Sequence, residues 1–223
     1  SPVISVNREN CNNPVTVGQP IPGLQIRLGD IEELQVKGPT VMKGYWKRPD
    51  ATAEVFTEDG WFRTGDQADL SDAGRIRIKG RIKEIIVTST GEKIPPTDME
   101  LAIQTDPLFE QVMVVGEARP FITALAVVNE AEWEKFAKEF NVNPSDDRML
   151  MRRDIRMAAL KRLKKAASRF PQYGIPRNIR LLKEHWTVDN GCLTVTMKLR
   201  RPIIREKLRA EIDELYTVPQ NNV

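Results

Sequence analysis

An aspartate that follows a glycine is the first residue whose type and position could do chemistry. In the stretch GWFRTGD, Gly65 gives the backbone freedom to turn, so Asp66 is predicted to stand at the end of a strand. A carboxylate in that position can accept two hydrogen bonds from the diol of a ribose. Gly-Asp turns are common, however, so this stretch alone does not establish a nucleotide site.

A lysine near the end of the chain is the second candidate. Lys198 lies in GCLTVTMKLRR, just after a tight turn predicted at residues 189–191. Lysine carries a compact charge on a flexible stem, and a cation between two anionic groups offsets their repulsion. A surface lysine in a basic run is the alternative, and the segment taken alone favours that alternative.

Residues 74–100 contain two strand patterns that meet at a charged joint. The predicted elements are a strand from Ile76 that ends at Gly80, a strand over residues 85–88, a turn at 89–91 and a helix opened by a Thr97-to-Glu100 capping box. By pattern alone, an ordinary hairpin explains the two strands. Gly91 is then a turn glycine, although its missing side chain would also let backbone approach a ligand closely.

The rest of the chain alternates between strand and helix patterns. The predicted elements are a hairpin of residues 24–28 and 33–37, a short helix from Pro49 to Phe56, paired strands at 112–115 and 122–128, helices at 130–140, 151–170 and 202–216, and a strand at 178–182. Tyr45 and Trp46 are predicted to pack their loop onto a neighbouring strand. The expected fold class is α/β (α+β), with a β-rich first part.

Composition excludes several classes of protein. The chain has 223 residues, 40% of them hydrophobic and 29% charged, with no secretory signal and no apolar run of membrane-spanning length. Cys11 and Cys192 are predicted to be reduced thiols of a cytosolic protein. A single histidine, His185, argues against a zinc site. Because Ser1 is not an initiator methionine, the chain is expected to begin inside a longer or processed protein.

The positive charge is concentrated in the second half of the chain. Residues 148–209 contain 18 Lys and Arg against 4 Asp and Glu, a local excess of 14. Such a region can attract nucleic acid, an anionic membrane or a phosphorylated ligand, but a solvated helix face is the favoured interpretation. The apolar stripe of the helix at 151–170 is thin and rich in alanine, which favours docking on a sheet over a membrane surface.

Three motifs in this order resemble the adenylate-forming superfamily of acyl-CoA synthetases, luciferases and peptide-synthetase adenylation domains. They are GWFRTGD, the Gly80-Arg81 pair with its neighbours, and the segment around Lys198. The last resembles the form found in long-chain acyl-CoA synthetases, although Val195 stands where proline is usual. Glu84 stands where many members carry aspartate. The resemblance covers nearly the whole chain.

The resemblance implies a role for five residues in a two-step reaction. Asp66 would hold the ribose hydroxyls of ATP, Arg81 would contact the ribose or phosphates, and Lys198 would be the catalytic lysine. A fatty acid would attack ATP to give acyl-adenylate and pyrophosphate, and CoA would then displace AMP. Lys83 would be the pivot of a domain rotation between the steps, and Gly91 would let backbone approach the pantetheine arm of CoA.

The resemblance also implies a domain organisation. Residues 1–82 would be the β-rich end of the N-terminal AMP-binding domain, and residues 83–223 the small α/β C-terminal domain. The phosphate loop, the magnesium ligands and most of the acyl pocket would lie in the rest of the N-terminal domain, as a partner of this fragment. The enzyme would be cytoplasmic, with peripheral membrane contact as an option.

Two other functions stay open at this point. The first is an adenylation domain that acts on another acid or delivers to a carrier protein. The second is a basic module that binds nucleic acid or anionic lipid, for which the sequence offers no RNA-binding or DNA-binding motif. The leading interpretation, a fatty-acid–CoA ligase, includes no nucleic-acid partner.

Overall fold

The chain divides into two compact units in a computed structural model that describes residues 3–217. The units are Ser1–Ile85 and Ile86–Val223. The domain boundary predicted after residue 82 lies close to this division and stays a prediction. Each unit has a hydrophobic core of its own.

The first unit is built on antiparallel strands. In chain order its elements are β1 (Ser5–Val6), β2 (Gln19–Pro20), β3 (Gln25–Leu28), β4 (Glu33–Lys37), α1 (Pro49–Val55), β5 (Phe62–Asp69) and β6 (Arg77–Arg81). Strands β3, β4, β5 and β6 form one sheet in sequence order, and β1 pairs with β2. The predicted hairpin is therefore present as β3 and β4, with Gln25 opposite Lys37.

Alternating apolar residues form the core of the first unit. The buried members are Leu34, Val36, Ala68 and Ile76. Ile76 precedes β6 directly and is fully buried. The prediction for Trp46 is wrong, because its side chain is 87% exposed and does not hold the loop onto a strand.

Over residues 86–217, the second unit combines a small sheet with five α-helices. In chain order its elements are β7 (Ile86–Val87), β8 (Lys93–Ile94), α2 (Pro96–Ile103), β9 (Phe109–Val115), β10 (Thr123–Val128), α3 (Glu130–Glu139), α4 (Arg153–Ala166), β11 (Asn178–Leu182), α5 (Arg201–Lys207) and α6 (Arg209–Thr217). Strand β10 lies between β9, which is antiparallel to it, and β11, which is parallel. Strands β7 and β8 form a separate antiparallel pair.

Strand β10 is buried along its whole length because helices cover both faces of its sheet. Ala124 and Ala126 belong to one core cluster, together with residues of α2, α3 and α4. Leu125 and Val127 belong to a second cluster with residues of α5 and α6. This accounts for the continuous apolar sequence TALAVV, since a strand with two covered faces needs no polar alternation.

The two strands around the charged joint do not form a hairpin. Strand β6 pairs with β5, whereas β7 pairs with β8. A single 3-10 turn, Ile82–Glu84, separates them. The ordinary hairpin is therefore excluded, and the joint stands close to the division between the two units.

The capping box predicted for α2 is wrong. The helix begins at Pro96, with Pro95 as the N-cap and no side-chain hydrogen bond to the cap. A proline at the first helical position has its φ preset and no N–H that needs a cap, so Thr97 lies inside the helix. The carboxylate of Glu100 accepts hydrogen bonds elsewhere, from the backbone of Val114 and from Arg201.

Helix α4 is shorter than predicted but packs as expected. It covers Arg153–Ala166, because a 3-10 turn at Asp147–Met151 takes the place of its predicted first residues. Ile155, Ala159 and Leu163 are fully buried in the cluster that includes β10 and β11. The preference for docking on a sheet is confirmed.

The predicted last helix is interrupted. Leu208 has φ −108° and ψ 28°, which ends the regular helix and separates α5 from α6. Ile204, Ile212 and Leu215 are the buried residues of the two helices. Within residues 3–217, none of the helices combines the length and apolar character that a membrane crossing needs.

Candidate functional site

Asp66 and Arg81 face each other across two strands of the first unit. They are register partners in β5 and β6, and the Nε of Arg81 lies 2.9 Å from the Oδ1 of Asp66. The side chain of Asp66 is 25% exposed and that of Arg81 is 53% exposed. The structure therefore brings two of the predicted site residues into one ion pair.

Asp66 does not stand at a strand end, contrary to the prediction. Strand β5 continues to Asp69, and Gly65 takes φ 72° inside it. The pairing of β5 with β4 shifts register beside this glycine. A bulge of this kind re-aims side chains without ending the strand.

The pair is suited to contact a nucleotide. One carboxylate oxygen of Asp66 is engaged by Arg81, and the side chain remains partly exposed. A carboxylate can accept hydrogen bonds from a diol, and a guanidinium can donate to ribose or phosphate oxygens. The Oγ1 of Thr64 accepts from the backbone N–H of Asp66 at 3.1 Å, and this contact supports the bulge.

Lys83 lies in the 3-10 turn between β6 and β7. Its side chain is exposed, and the turn is closed by a 3.2 Å hydrogen bond from the N–H of Ile85 to the carbonyl of Ile82. The division between the two units follows Ile85. A pivot at Lys83 stays a prediction.

Gly91 lies in a hairpin loop of five residues, 88–92, which we call the Gly91 loop. The N–H of Thr88 donates to the carbonyl of Glu92 at 3.0 Å, and the N–H of Gly91 donates to the carbonyl of Thr88 at 3.0 Å. The Oγ1 of Thr88 accepts from the N–H of Glu92 and lies 2.8 Å from the Oγ1 of Thr90. Gly91 has φ 84°, and a Cβ added to it would meet no atom within 4 Å.

Lys198 ends a second loop, residues 194–198, which we call the lysine loop. The N–H of Thr194 donates to the carbonyl of Lys198 at 2.9 Å, and the N–H of Met197 donates to the carbonyl of Thr194 at 2.8 Å. The Oγ1 of Thr194 accepts from the N–H of Lys198 and lies 3.0 Å from the Oγ1 of Thr196. Met197 has φ 61°.

The two loops share one hydrogen-bond frame. Thr88 and Thr194 make the same four contacts, and Gly91 and Met197 occupy the same left-handed position. Sequence reasoning missed both threonines. The shared pattern of a threonine at the first and third positions, TSTGE and TVTMK, is the signal that could have found them.

The ammonium of Lys198 is available for a substrate. Its side chain is exposed, and within residues 3–217 the ammonium makes neither a hydrogen bond nor an ion pair. Neighbouring basic residues are engaged: Arg200 donates to the carbonyl of Gly191, and Arg201 pairs with Glu100. Lys198 is therefore better placed than these arginines to act on a bound anion.

The pair of Glu100 and Arg201 anchors the end of the lysine loop. Arg201 donates two hydrogen bonds to Glu100, at 2.7 and 2.6 Å, and begins α5 three residues after Lys198. Glu100 also accepts from the N–H of Val114 in β9 at 2.7 Å. The side chains of Glu100 and Arg201 are only 7% and 17% exposed. The sequence offered no signal for this pair, because its members lie 101 residues apart.

Part of the basic region of residues 148–209 is neutralised by local ion pairs. The pairs are Arg148 with Asp146, Arg152 with Asp154, Arg162 with Asp106, Arg180 with Glu214 and Lys183 with Asp147. These contacts favour a structural role for many of the basic residues over a continuous anion-binding face.

Asp106 shows how one of these pairs acts on a carboxyl group. Burial tends to raise the pKa of Asp106, but hydrogen bonds from Arg162 and from the N–H of Leu108 outweigh that effect. The pKa of the carboxyl therefore lies below its ordinary value, and the pair with Arg162 ties α4 to the residues after α2.

The candidate residues fall into two groups. Asp66 and Arg81 belong to the first unit, and Gly91 and Lys198 belong to the second. His185 pairs with Glu110, its Nε2 lying 3.2 Å from a carboxylate oxygen. Across residues 3–217, His, Cys, Asp and Glu side chains form no group of three or more that could hold a metal ion.

Comparison with known proteins gives consistent matches. Residues 83–219 match the family described as AMP-binding enzyme C-terminal domain. The chain is 37% identical over 209 residues to the long-chain-fatty-acid–CoA ligase FadD15 of Mycobacterium tuberculosis, covering 90% of the chain and 34% of that protein. It is 31% identical over 238 residues to the long-chain-fatty-acid–[acyl-carrier-protein] ligase AEE15 of Arabidopsis thaliana, covering 97% of the chain and 31% of that protein.

Solved structures agree with these matches. The adenylation domain of a carboxylate reductase from Mycobacterium chelonae is 26% identical and superposes with a TM-score of 0.73, covering 88% of this chain and 32% of that one. This likeness confirms the predicted α/β class. The chain spans about a third of the length of the curated relatives described above.

Proposed function

We propose a function for this chain from one established premise: the chain belongs to the family of AMP-binding enzymes. In our proposal it is the C-terminal portion of an AMP-forming ligase that joins a long-chain fatty acid to CoA. Residues 1–82 are the end of the AMP-binding domain, and residues 83–223 are its C-terminal domain. The rest of the enzyme holds the magnesium, the phosphate loop and most of the acyl pocket.

The position of Lys198 is the observation that supports this proposal most directly. Its ammonium is exposed at the end of a hydrogen-bonded loop and unpaired among residues 3–217. In the first step, the carboxylate of the fatty acid attacks the α-phosphate of ATP, and pyrophosphate leaves. Lys198 bridges the two anionic groups and stabilises the negative charge that develops between them.

Asp66 and Arg81 position the nucleotide for that step. Asp66 accepts hydrogen bonds from the ribose hydroxyls of ATP, and Arg81 donates to ribose or phosphate oxygens. Their ion pair fixes the two side chains relative to each other before the nucleotide arrives. Positioning of this kind lowers the entropic cost of reaching the reactive geometry.

The second step uses the other loop. The thiol of CoA attacks the acyl carbonyl, and AMP leaves. The Gly91 loop lets backbone approach the pantetheine arm, because a Cβ at Gly91 would fill space that is open here. The change from the lysine loop to the Gly91 loop requires a rotation of the C-terminal domain, with its pivot at Lys83.

The isolated chain should not form acyl-adenylate. Pyrophosphate exchange with a fatty acid is expected at background for the 223 residues and well above background for the complete enzyme. The reason is that Asp66 and Arg81 contact only part of a nucleotide. Robust ATP-dependent thioester formation by the isolated chain would contradict the proposed division of the site.

Replacing Lys83 with proline should separate the two steps. Proline holds φ near about −65°, so it removes one of the two backbone states that a pivot needs. In the complete enzyme, Lys83→Pro is expected to impair one half-reaction much more than the other, measured as pyrophosphate exchange and as thioester formation from pre-made acyl-adenylate. Equal losses in a folded variant would place the pivot elsewhere.

A carrier protein in place of CoA is the second candidate. The similarity to an acyl-carrier-protein ligase supports it. Both acceptors present the same phosphopantetheine thiol, so the Gly91 loop suits either. Assays of the complete enzyme with CoA and with a loaded carrier protein would identify the acceptor.

A further inference from the structure

We infer that Val195 and Met197, at the tip of the lysine loop, contact the alkyl chain of the acid next to its carboxylate and so favour aliphatic acids. The inference rests on the proposed role of Lys198 and adds a specificity contact to it. Met197 directly precedes Lys198, so a loop that brings Lys198 to a carboxylate brings this tip to the adjoining carbons.

The backbone of Met197 is the first observation. Its φ of 61° is a left-handed conformation that side chains with a Cβ adopt at a cost, and Gly91 holds the same position in the matching loop. The side chain of Met197 is 67% exposed, so burial among residues 3–217 does not offset that cost. Strained residues of this kind cluster at active sites and ligand-binding sites, and Met197 is one of seven non-glycine residues with positive φ among residues 3–217.

The polarity of the two tips is the second observation. Val195 is 86% exposed and Met197 is 67% exposed. Their counterparts in the Gly91 loop are Ser89 and Gly91, while the hydrogen-bond frame is the same. The lysine loop thus carries an apolar tip and the Gly91 loop a small, polar tip, although both loops have the same backbone hydrogen bonds.

This difference favours a substrate over a protein surface as the contact. If both tips met the same protein surface in turn, we would expect them to have similar polarity. In the proposed reaction, however, the lysine loop meets an aliphatic acid and the Gly91 loop meets the amide-bearing pantetheine arm. The polarity of each tip matches its own ligand. Methionine also adapts its flexible side chain to an alkyl chain of varying conformation.

The double variant Val195→Ser/Met197→Gly tests the inference in the complete enzyme. It turns TVTMK into TSTGK, which keeps Thr194 and Thr196 and copies the tip of the Gly91 loop, so the frame is preserved. The substrates are a saturated fatty acid and the acid of equal length with an ether oxygen in place of one methylene near the carboxylate. We expect the wild type to prefer the saturated acid. In the variant, the ratio of kcat/KM for the saturated acid to kcat/KM for the ether acid, measured by pyrophosphate exchange, should fall about tenfold.

Two results would overturn the inference. If kcat/KM falls equally for both acids, the tip contacts protein; if neither changes, the tip contacts nothing in this step. The control variant Val188→Ser/Met157→Ala removes the same residue types from exposed positions of the same unit and should leave the preference unchanged. The melting temperature of the double variant should not fall, since glycine accepts the backbone of residue 197.

The proposed function fails separately from this inference. If the wild-type enzyme shows no exchange with any fatty acid, the proposed function is wrong and the inference falls with it. If the wild type is active and the variant keeps the full preference, only the contact made by Val195 and Met197 is wrong.

Discussion

Replacing Lys198 with alanine in the complete enzyme is expected to slow acyl-adenylate formation by about 10²–10³-fold, or roughly 3–4 kcal/mol of transition-state stabilisation. The ammonium is exposed and unpaired within residues 3–217, so its removal breaks no hydrogen bond or ion pair among these residues. Arg201 cannot take its place because it is held by Glu100. Thioester formation from pre-made acyl-adenylate should stay near the wild-type rate, because in the proposed mechanism the lysine loop acts only in the first step.

Both half-reactions must be measured on the same preparation. Lys161→Ala, which removes an exposed lysine of α4, is the matched control and should leave both rates unchanged. An unchanged rate of adenylation in Lys198→Ala would show that Lys198 is not the catalytic lysine. A parallel loss of both steps in a folded protein would assign it a structural role.

Replacing Arg201 with alanine should destabilise the second unit by about 3–5 kcal/mol, because it leaves the buried carboxylate of Glu100 without its cation. Urea unfolding of the chain, followed by tryptophan fluorescence, measures this. Trp133 and Trp186 are buried in the second unit, whereas Trp46 is already exposed in the folded state. Trp61 of the first unit is only partly buried, so most of the change in emission should come from Trp133 and Trp186.

Two further variants distinguish the effect of losing the ion pair from the effect of losing side-chain packing. In Glu100→Gln/Arg201→Met, both charges are gone and the amide can still accept from Val114, so most of the stability should return. Arg148→Ala breaks an exposed pair with Asp146 and should cost less than about 1 kcal/mol. If Arg201→Ala behaved like Arg148→Ala, Glu100 and Arg201 would not anchor the lysine loop.

Local periodicity was enough to predict most elements. The alternation of residues 24–28 and 33–37 became β3 and β4, and the helix pattern of residues 130–140 became α3, with Trp133 and Phe136 buried. These patterns depend only on which side chains share a face of a strand or helix, so neighbours in sequence specify them. Boundaries were less well predicted, because local features shift helix ends: Pro96 takes the first position of α2, and a 3-10 turn precedes α4.

The candidate site was predicted in part. The motifs around Asp66, Arg81 and Lys198 pointed to the AMP-binding family, which the comparisons confirmed. The exact setting of Asp66 was not predictable, because a bulge keeps it inside β5 and opposite Arg81. A bulge depends on how a strand pairs with its neighbours, and pairing is not visible in one strand's sequence.

By itself, the sequence determined the types and order of most elements and the chemical identity of the candidate residues, because side-chain periodicity and motif spacing are properties of the chain alone. Only the tertiary structure decided which residues support them. The pairing of Glu100 with Arg201 joins positions 101 residues apart. Contacts of this kind arise when distant segments fold together, so a linear pattern carries no direct record of them.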